Sequence, residues 1–197
     1  MISSGEQLGR EAARRLAETG RCDVGPGLTD AEIARIEQAY ELEFADDHRG
    51  FLAAGLPLGA PGRSGGSGHE PWPDWRSGDP ADLRRRLDWP VEGVLFDVEH
   101  GAFWHDPWGP RPASVGEALR TAQGHLSSVP TMIPVCGHRY LPAGRGTSGH
   151  PVLSMYQTDI IVYGTDLADY IRCEFSGWHI SADWKPPPLV PFWSDFL

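Results

Sequence analysis

The feature that most constrains this chain lies in its second half. Three short apolar runs, Thr131–Val135, Val152–Tyr156 and Asp159–Tyr163, read as strands. They are not interleaved with helices in βαβ fashion. The helical patterns mostly precede them. Helices first and strands after predict an α+β fold: a single domain with a largely antiparallel sheet flanked by helices.

The helical segments carry local punctuation. Ser4 to Glu18 places Leu8, Ala12 and Leu16 on one face, with Gly20 as the stop. Thr29-Asp-Ala-Glu32 is a capping box, followed by Ile33, Ile36 and Tyr40 at helical spacing. A short helix from about Asp46 buries Phe51 and Leu52 and ends at Gly55-Leu56-Pro57. Asp79-Pro80 opens another through Leu83 and Leu87, closed before Pro90, with Arg84, Arg85 and Arg86 on a solvated face. Ser114 to Glu117 is a second capping box, leading Leu119, Ala122 and Leu126. Thr165 caps a last helix with Leu167, Tyr170 and Ile171 inward. Gly59 to His69 reads as loop. Prolines exclude regular structure from most of the tail, whose aromatics are expected to fold back on the body. The organisation expected is an N-terminal helix and linker over 1–26, a domain over 27–177 and a proline- and aromatic-rich tail over 178–197.

Net charge excludes some partners. At −10, the field of the chain repels phosphate backbones and anionic lipid. Nucleic acid and membrane surfaces are disfavoured, and a basic protein partner is favoured. The first residues are polar, without the apolar core of a signal peptide, and no run approaches the roughly 20 apolar residues that span a bilayer. Cys22, Cys136 and Cys173 lack zinc or redox-motif spacing and read as reduced structural thiols of a cytoplasmic protein.

Two motifs match literally but fail in context. Gly144-Arg-Gly146-Thr-Ser-Gly149 fits the dinucleotide glycine pattern, yet a strand follows where a helix N-terminus must meet the pyrophosphate. Gly146 to His150 has a serine where a nucleophile elbow would, but lacks the final glycine and the strand-to-helix turn. No cofactor is expected.

Leu95 to Pro112 is the richest block. Val94 to Glu99 alternates and reads as a strand, with Val94, Phe96 and Val98 toward the core and Asp97 and Glu99 outward. His100-Gly101 then sits at a tight turn, and Phe103 and Trp104 start a return strand. On that reading Asp97 and Glu99 could share a ligand with His100, His105 or His138, as in a metal-dependent hydrolase. No ligand pair of recognised spacing appears, and cross-strand packing explains the aromatics equally well.

The chain resembles the SMI1/KNR4 family, also called the SUKH superfamily. Gly27-Leu-Thr-Asp-Ala-Glu-Ile-Ala-Arg-Ile-Glu, then Phe44-Ala-Asp-Asp-His-Arg-Gly-Phe-Leu, looks like its opening helix pair, with Ala45 where proline is usual. Trp89-Pro-Val-Glu-Gly-Val-Leu-Phe-Asp-Val-Glu-His-Gly-Ala-Phe-Trp, with Trp108-Gly-Pro-Arg-Pro, is similar to a bacterial branch whose turn often reads His-Asn-Gly. Val129 to Pro142 and Pro151 to Gly164 carry the third likeness, so the resemblance spans residues 27 to about 175.

The resemblance implies an α+β fold without catalysis, and bacterial members are largely regarded as immunity proteins that neutralise toxins by binding them. The expectation is a cytoplasmic immunity protein for a basic, nuclease-like toxin domain. The alternatives are the metal-dependent hydrolase and a non-toxin scaffold. Exposed tryptophans beside carboxylates suit an interface, so the expected contact residues are Asp97, Glu99, His100, Trp104 and Trp108. A second rank comprises His138, Arg139, Tyr140, Gln157, Asp159 and Tyr163. Metal ligands and catalytic residues are expected to be absent.

Overall fold

The computed structural model describes residues 3–59, 72–176 and 189–197. It is an α+β domain. The helices are α1 (Ser4–Thr19), α2 (Asp30–Tyr40), α3 (Asp46–Ala54), α4 (Pro80–Glu99), α5 (Val115–Leu126) and α6 (Leu167–Ser176). A meander of β3 (Met132–Cys136), β4 (Arg139–Pro142), β5 (Val152–Tyr156) and β6 (Asp159–Gly164) forms the main sheet, antiparallel throughout and ordered as in sequence. A two-stranded ribbon pairs β1 (Asp23–Gly25) with β2 (Leu56–Leu58). The loop expected over 59–69 lies mostly outside the described residues.

The sheet is the middle layer. Directly opposed residues in an antiparallel pair share a face. Met132, Tyr140, Leu153, Met155 and Ile160 point to one side, where they pack with Val94 and Val98 of α4, Ala118, Ala122 and Leu126 of α5, and Val190 and Trp193 of the tail. Ile133, Leu141 and Val152 point to the other, into a core built with α1, α2, α3 and α6. The last helix buries Leu167, Tyr170 and Ile171 as expected, but its cap is Asp166, whose Oδ1 accepts from the Asp169 amide at 2.7 Å. Thr165 instead donates its amide and hydroxyl to Asp169 Oδ2, both at 3.0 Å. Trp193 is fully buried and donates its indole N–H to the Pro130 carbonyl at 2.8 Å, so the described end of the tail, 189–197, folds back.

The N-terminal helix is integral to this core. Its Ser3–Glu6 capping box and left-handed Gly20 fix both ends. Ala12, Ala13 and Leu16 are buried. It crosses α3 at backbone contact: a Cβ on Gly9 would lie 2.0 Å from the Asp47 carbonyl oxygen, and one on Gly50 2.7 Å from that of Glu6.

The main departure from expectation is the block 94–104. It is not a β-hairpin. Residues 94–99 are the last turns of α4, which runs through Pro90 without stopping. The buried positions Leu83, Leu87, Pro90, Val94, Asp97 and Val98 recur every three or four residues. Phe96, which a strand would bury beside Val94 and Val98, is 47% exposed. A proline inside a helix removes the donor to the carbonyl four residues earlier. That carbonyl belongs to Arg86, and the buried Tyr140 hydroxyl donates to it at 3.0 Å. A residue of β4 therefore supplies the bond that Pro90 cannot. The same turn corrects the arginine face: Arg84 and Arg85 are exposed, but Arg86 is buried and its Nε is 2.7 Å from Asp82 Oδ2.

The expected turn residues His100-Gly101 terminate the helix. Gly101 has φ +74°, its amide donates to Val98 O at 3.2 Å, and the Ala102 amide donates to Asp97 O at 2.9 Å. These are the two bonds of a Schellman motif with Gly at the position after the cap. Arg111 completes the end, donating to Val98 O at 2.6 Å and Phe103 O at 3.0 Å.

Removing the Tyr140 hydroxyl tests the Pro90 account. Tyr140→Phe leaves a buried carbonyl unpaired and should destabilise by about 1–2 kcal/mol in chemical denaturation. Adding Pro90→Ala should recover part of that loss, because alanine restores the helical donor. Equal stability of Tyr140→Phe and the parent would refute the assignment.

Candidate functional site

The eleven sequence-selected residues divide into those that hold the fold and those that face outward. Asp97 belongs to the first group. It is 7% exposed, and its Oδ2 accepts the Thr158 amide at 3.0 Å and the Thr158 hydroxyl at 2.6 Å. The carboxylate thus clamps α4 onto the β5–β6 turn, where Gln157 takes φ +54°. It does not face solvent, and it does not share a side of α4 with the exposed Glu99. Tyr140 is likewise buried and engaged with Arg86.

Arg139 is half-buried with three contacts. Its guanidinium sits 3.7 Å from the Tyr163 ring centroid, its Nη1 donates to Ser154 Oγ at 3.0 Å, and its Nε is 3.7 Å from Glu174 Oε2. The geometry fits a cation–π contact reinforced by a carboxylate.

Trp104 and Trp108 are half-buried members of an aromatic cluster. Trp104 donates its indole N–H to Gly109 O at 2.7 Å and lies under the Arg111 guanidinium at 5.6 Å. Trp108 is stacked between His125 and Phe192, at centroid separations of 5.6 and 5.9 Å. Phe103, His105 and Phe196 close the cluster, and His105 Nε2 lies 3.1 Å from Asp195 Oδ2. The tryptophans are therefore packing residues first, as the aromatic-packing alternative had it.

The outward group clusters elsewhere. Tyr156 opposes Asp159 and Ser154 opposes Ile161, so these four share one face of the sheet with Arg139 and Tyr163. Tyr156 is 57% and Ile161 51% exposed, and Asp159 is exposed. Helix α4 packs on the opposite face and reaches this group only at the β5–β6 end. Trp89 meets Tyr156 edge-on at 6.2 Å, and a Cβ on Gly93 would come within 2.9 Å of the Gln157 Cα. One helical row further, Phe96 stacks on His100 at 4.0 Å, and His100 Nδ1 is 2.8 Å from Phe96 O. His138 is exposed on the β3–β4 turn.

The structure thus places Asp159 on one sheet face with Tyr156 and Ile161, which the sequence alone does not select, and leaves His100 on α4 with the exposed Phe96. Phe96 carried a signal: helical spacing places it opposite the buried Val94 and Val98. Tyr156 and Ile161 carried none, because exposure at the end of a strand depends on what covers it.

The five residues of the hydrolase alternative are not assembled. Asp97 is bound to Thr158, His100 lies on α4's outer surface, His105 sits in the aromatic cluster and His138 on a separate turn. Among the described residues no three His, Cys, Asp or Glu side chains converge as metal ligands would.

The glycine motif has a different use. Gly146 N–H donates to Asp46 Oδ1 at 2.9 Å and Gly149 N–H to Asp47 Oδ2 at 2.8 Å, while the Asp46 amide donates back to Thr147 O at 2.8 Å. Amides that would cradle phosphate are satisfied by carboxylates at the start of α3, and the loop is pinned there. Burial raises the Asp47 pKa above the usual carboxylate value and holds the adjacent His48 neutral, its pKa lowered to about 3. All three cysteines are unpaired, and burial pushes Cys22 to about 11 and Cys136 to about 12, far from nucleophilic thiolates. Among the described residues no helix is long and apolar enough to cross a membrane.

No protein-family model, curated protein or solved structure matches the chain.

Proposed function

We infer that the chain is a non-catalytic protein-binding domain of immunity type, which neutralises a basic toxin domain by covering it. One observation carries this reading. Tyr156 and Ile161 are exposed on one face of the sheet beside the exposed Asp159, on a chain of net charge −10. Large apolar side chains rimmed by charge are the composition of a protein interface, and aromatic anchors dominate binding energy there. The acidic field accelerates capture of a cationic partner. The likeness to the SMI1/KNR4 family in residues 27 to about 175 supports the same assignment, and a cytoplasmic site of action suits three unpaired thiols.

The test uses a basic protein domain captured by this chain from the native cell. Tyr156→Ala and Ile161→Ala should each weaken the complex by roughly tenfold or more, in line with hot-spot truncations above 1 kcal/mol. Glu18→Gln, on the remote α1, should leave affinity unchanged. Tight binding insensitive to both anchor variants would move the interface to another face, and failure to bind any basic protein would remove the reading altogether.

A further inference from the structure

A second surface on the molecule has the composition of a receptor for basic side chains. It is a cleft of about 470 Å³ between the C-terminal end of α2, the middle of α4, the C-terminal end of α5 and the start of β3. That volume is within the range of ligand pockets, roughly 300–1,000 Å³. Its floor is apolar: Leu87, Pro90, Leu126, Met132 and Trp193 line it, all of them nearly fully buried.

Its rim is acidic. Glu41, Asp88 and Glu92 line the cleft and are exposed. No hydrogen bond or ion pair among the described residues engages any of the three carboxylates. One guanidinium shares the lining, that of Arg84, and it already sits 5.1 Å over the Tyr40 ring with a bond to Ala39 O at 3.4 Å. Several other carboxylates are taken up internally: Glu11 by Arg14 and Arg15, Glu32 by Arg76, and Glu37 by Arg145. At the cleft three negative charges surround an apolar floor and face a single cation. Arginine and lysine have an apolar stem and a charged head, and they bind by laying the stem on apolar surface and presenting the head to carboxylates. An arginine head gains additional paired bonds from a carboxylate.

We propose that this cleft between α2, α4 and α5 receives an arginine or lysine side chain of a basic protein partner, with the stem over Pro90 and Met132 and the head among Glu41, Asp88 and Glu92. The inference rests on the reading of the chain as a binder of basic proteins, and it assigns the partner's anchor to a surface distinct from the Tyr156–Ile161 face. Pro90 has a second role here. It contributes an apolar wall to the cleft.

The experiment titrates the full isotopically labelled chain with the peptide acetyl-Gly-Arg-Arg-Gly-amide and follows the Met132 methyl, the Trp193 indole and the Gln123 and Thr131 amides by NMR. The neutral isostere with citrulline replacing both arginines is the control. The arginine peptide should shift these resonances in a saturable manner, the citrulline peptide should bind at least tenfold more weakly, and the variant Glu41→Gln/Asp88→Asn/Glu92→Gln should lose at least tenfold in affinity while keeping its circular dichroism and melting temperature. All three positions are exposed, so the variant folds. Equal binding of the two peptides, unchanged affinity of the triple variant, or shifts that map to Tyr156 and Ile161 would each overturn the proposal. Those results concern the cleft alone, because capture of a basic protein by the Tyr156 face is read by the separate Tyr156→Ala and Ile161→Ala measurements.

Discussion

Gly9→Val should be among the most damaging single substitutions in the N-terminal half. At Gly9 an added Cβ would meet the Asp47 carbonyl oxygen at 2.0 Å and the Phe51 amide nitrogen at 2.5 Å. Both are backbone atoms inside α3, so no rotamer change relieves the contact. The helices must separate, and the separation propagates to Ala12, Ala13 and Leu16 on the same face of α1. It also strains the pinned 144–149 loop, which is held by the two aspartates at the start of α3. Overpacking against side chains costs typically 1–3 kcal/mol, and an unyielding backbone contact should cost on the order of 4 kcal/mol or more. For a chain of this size that lowers the melting temperature by roughly 10 °C. Gly20→Ala is the comparison. Nothing lies within 4 Å of its Cβ, so the change strains only the left-handed backbone there and should cost about 1 kcal/mol. Scanning calorimetry of both variants decides the matter, and similar losses would mean that the α1–α3 crossing is looser than described.

Asp97→Ala should have the second-largest effect. The carboxylate is the only link of its kind between α4 and the β5–β6 turn among the described residues, and it accepts two hydrogen bonds from Thr158. Bonds to a charged acceptor contribute roughly 1.5–3 kcal/mol each, and a half-buried amide left behind loses part of its solvation. The expected loss is about 3 kcal/mol. Thr158→Ala removes the hydroxyl but keeps the amide and should lose only about 1 kcal/mol. The double variant should lose little more than Asp97→Ala alone, giving a coupling energy that identifies the pair as one unit. Additive losses would contradict the clamp.

Asp97 also shows how far the sequence could be read. Helix ends written in local chemistry were legible: the capping box at Thr29, the Asp79-Pro80 start and Gly20 stand where residue types place them, and Ser114 caps its helix although Glu117 does not close the box. So were the strands β3, β5 and β6. The block 94–104 is ambiguous in sequence because two periods overlap in it. Val94 and Val98 fit both a strand face and a helical stripe, and Pro90 ends a helix by any local rule. The deciding donor, the Tyr140 hydroxyl, lies 50 residues further along the chain and has no local signature. Gly101 belongs equally to a hairpin turn and to a Schellman motif, and only the element before it distinguishes them.

The same dependence governs the candidate surface. Polar residues in a dense block invite a functional reading, but Asp97, Arg139 and Tyr140 are engaged by partners from other elements. Trp108, which packs against Trp104, is stacked on Phe192 of the distant tail, and Phe103 packs on Phe196. Exposure of Tyr156 and Ile161, and the shape of the acid-rimmed cleft, are properties of the assembled fold.

The central claim is that this chain works by contact, with its acidic and aromatic surface capturing a basic protein. Stopped-flow association of the full chain with a basic protein domain captured from the native cell, at about 20 mM and about 500 mM salt, tests this most directly. The account predicts a one-to-one complex whose association rate falls at least tenfold between the two salt concentrations, as screening removes the steering field while short-range contacts persist. Absence of a complex, or association at a rate indifferent to salt, would contradict it.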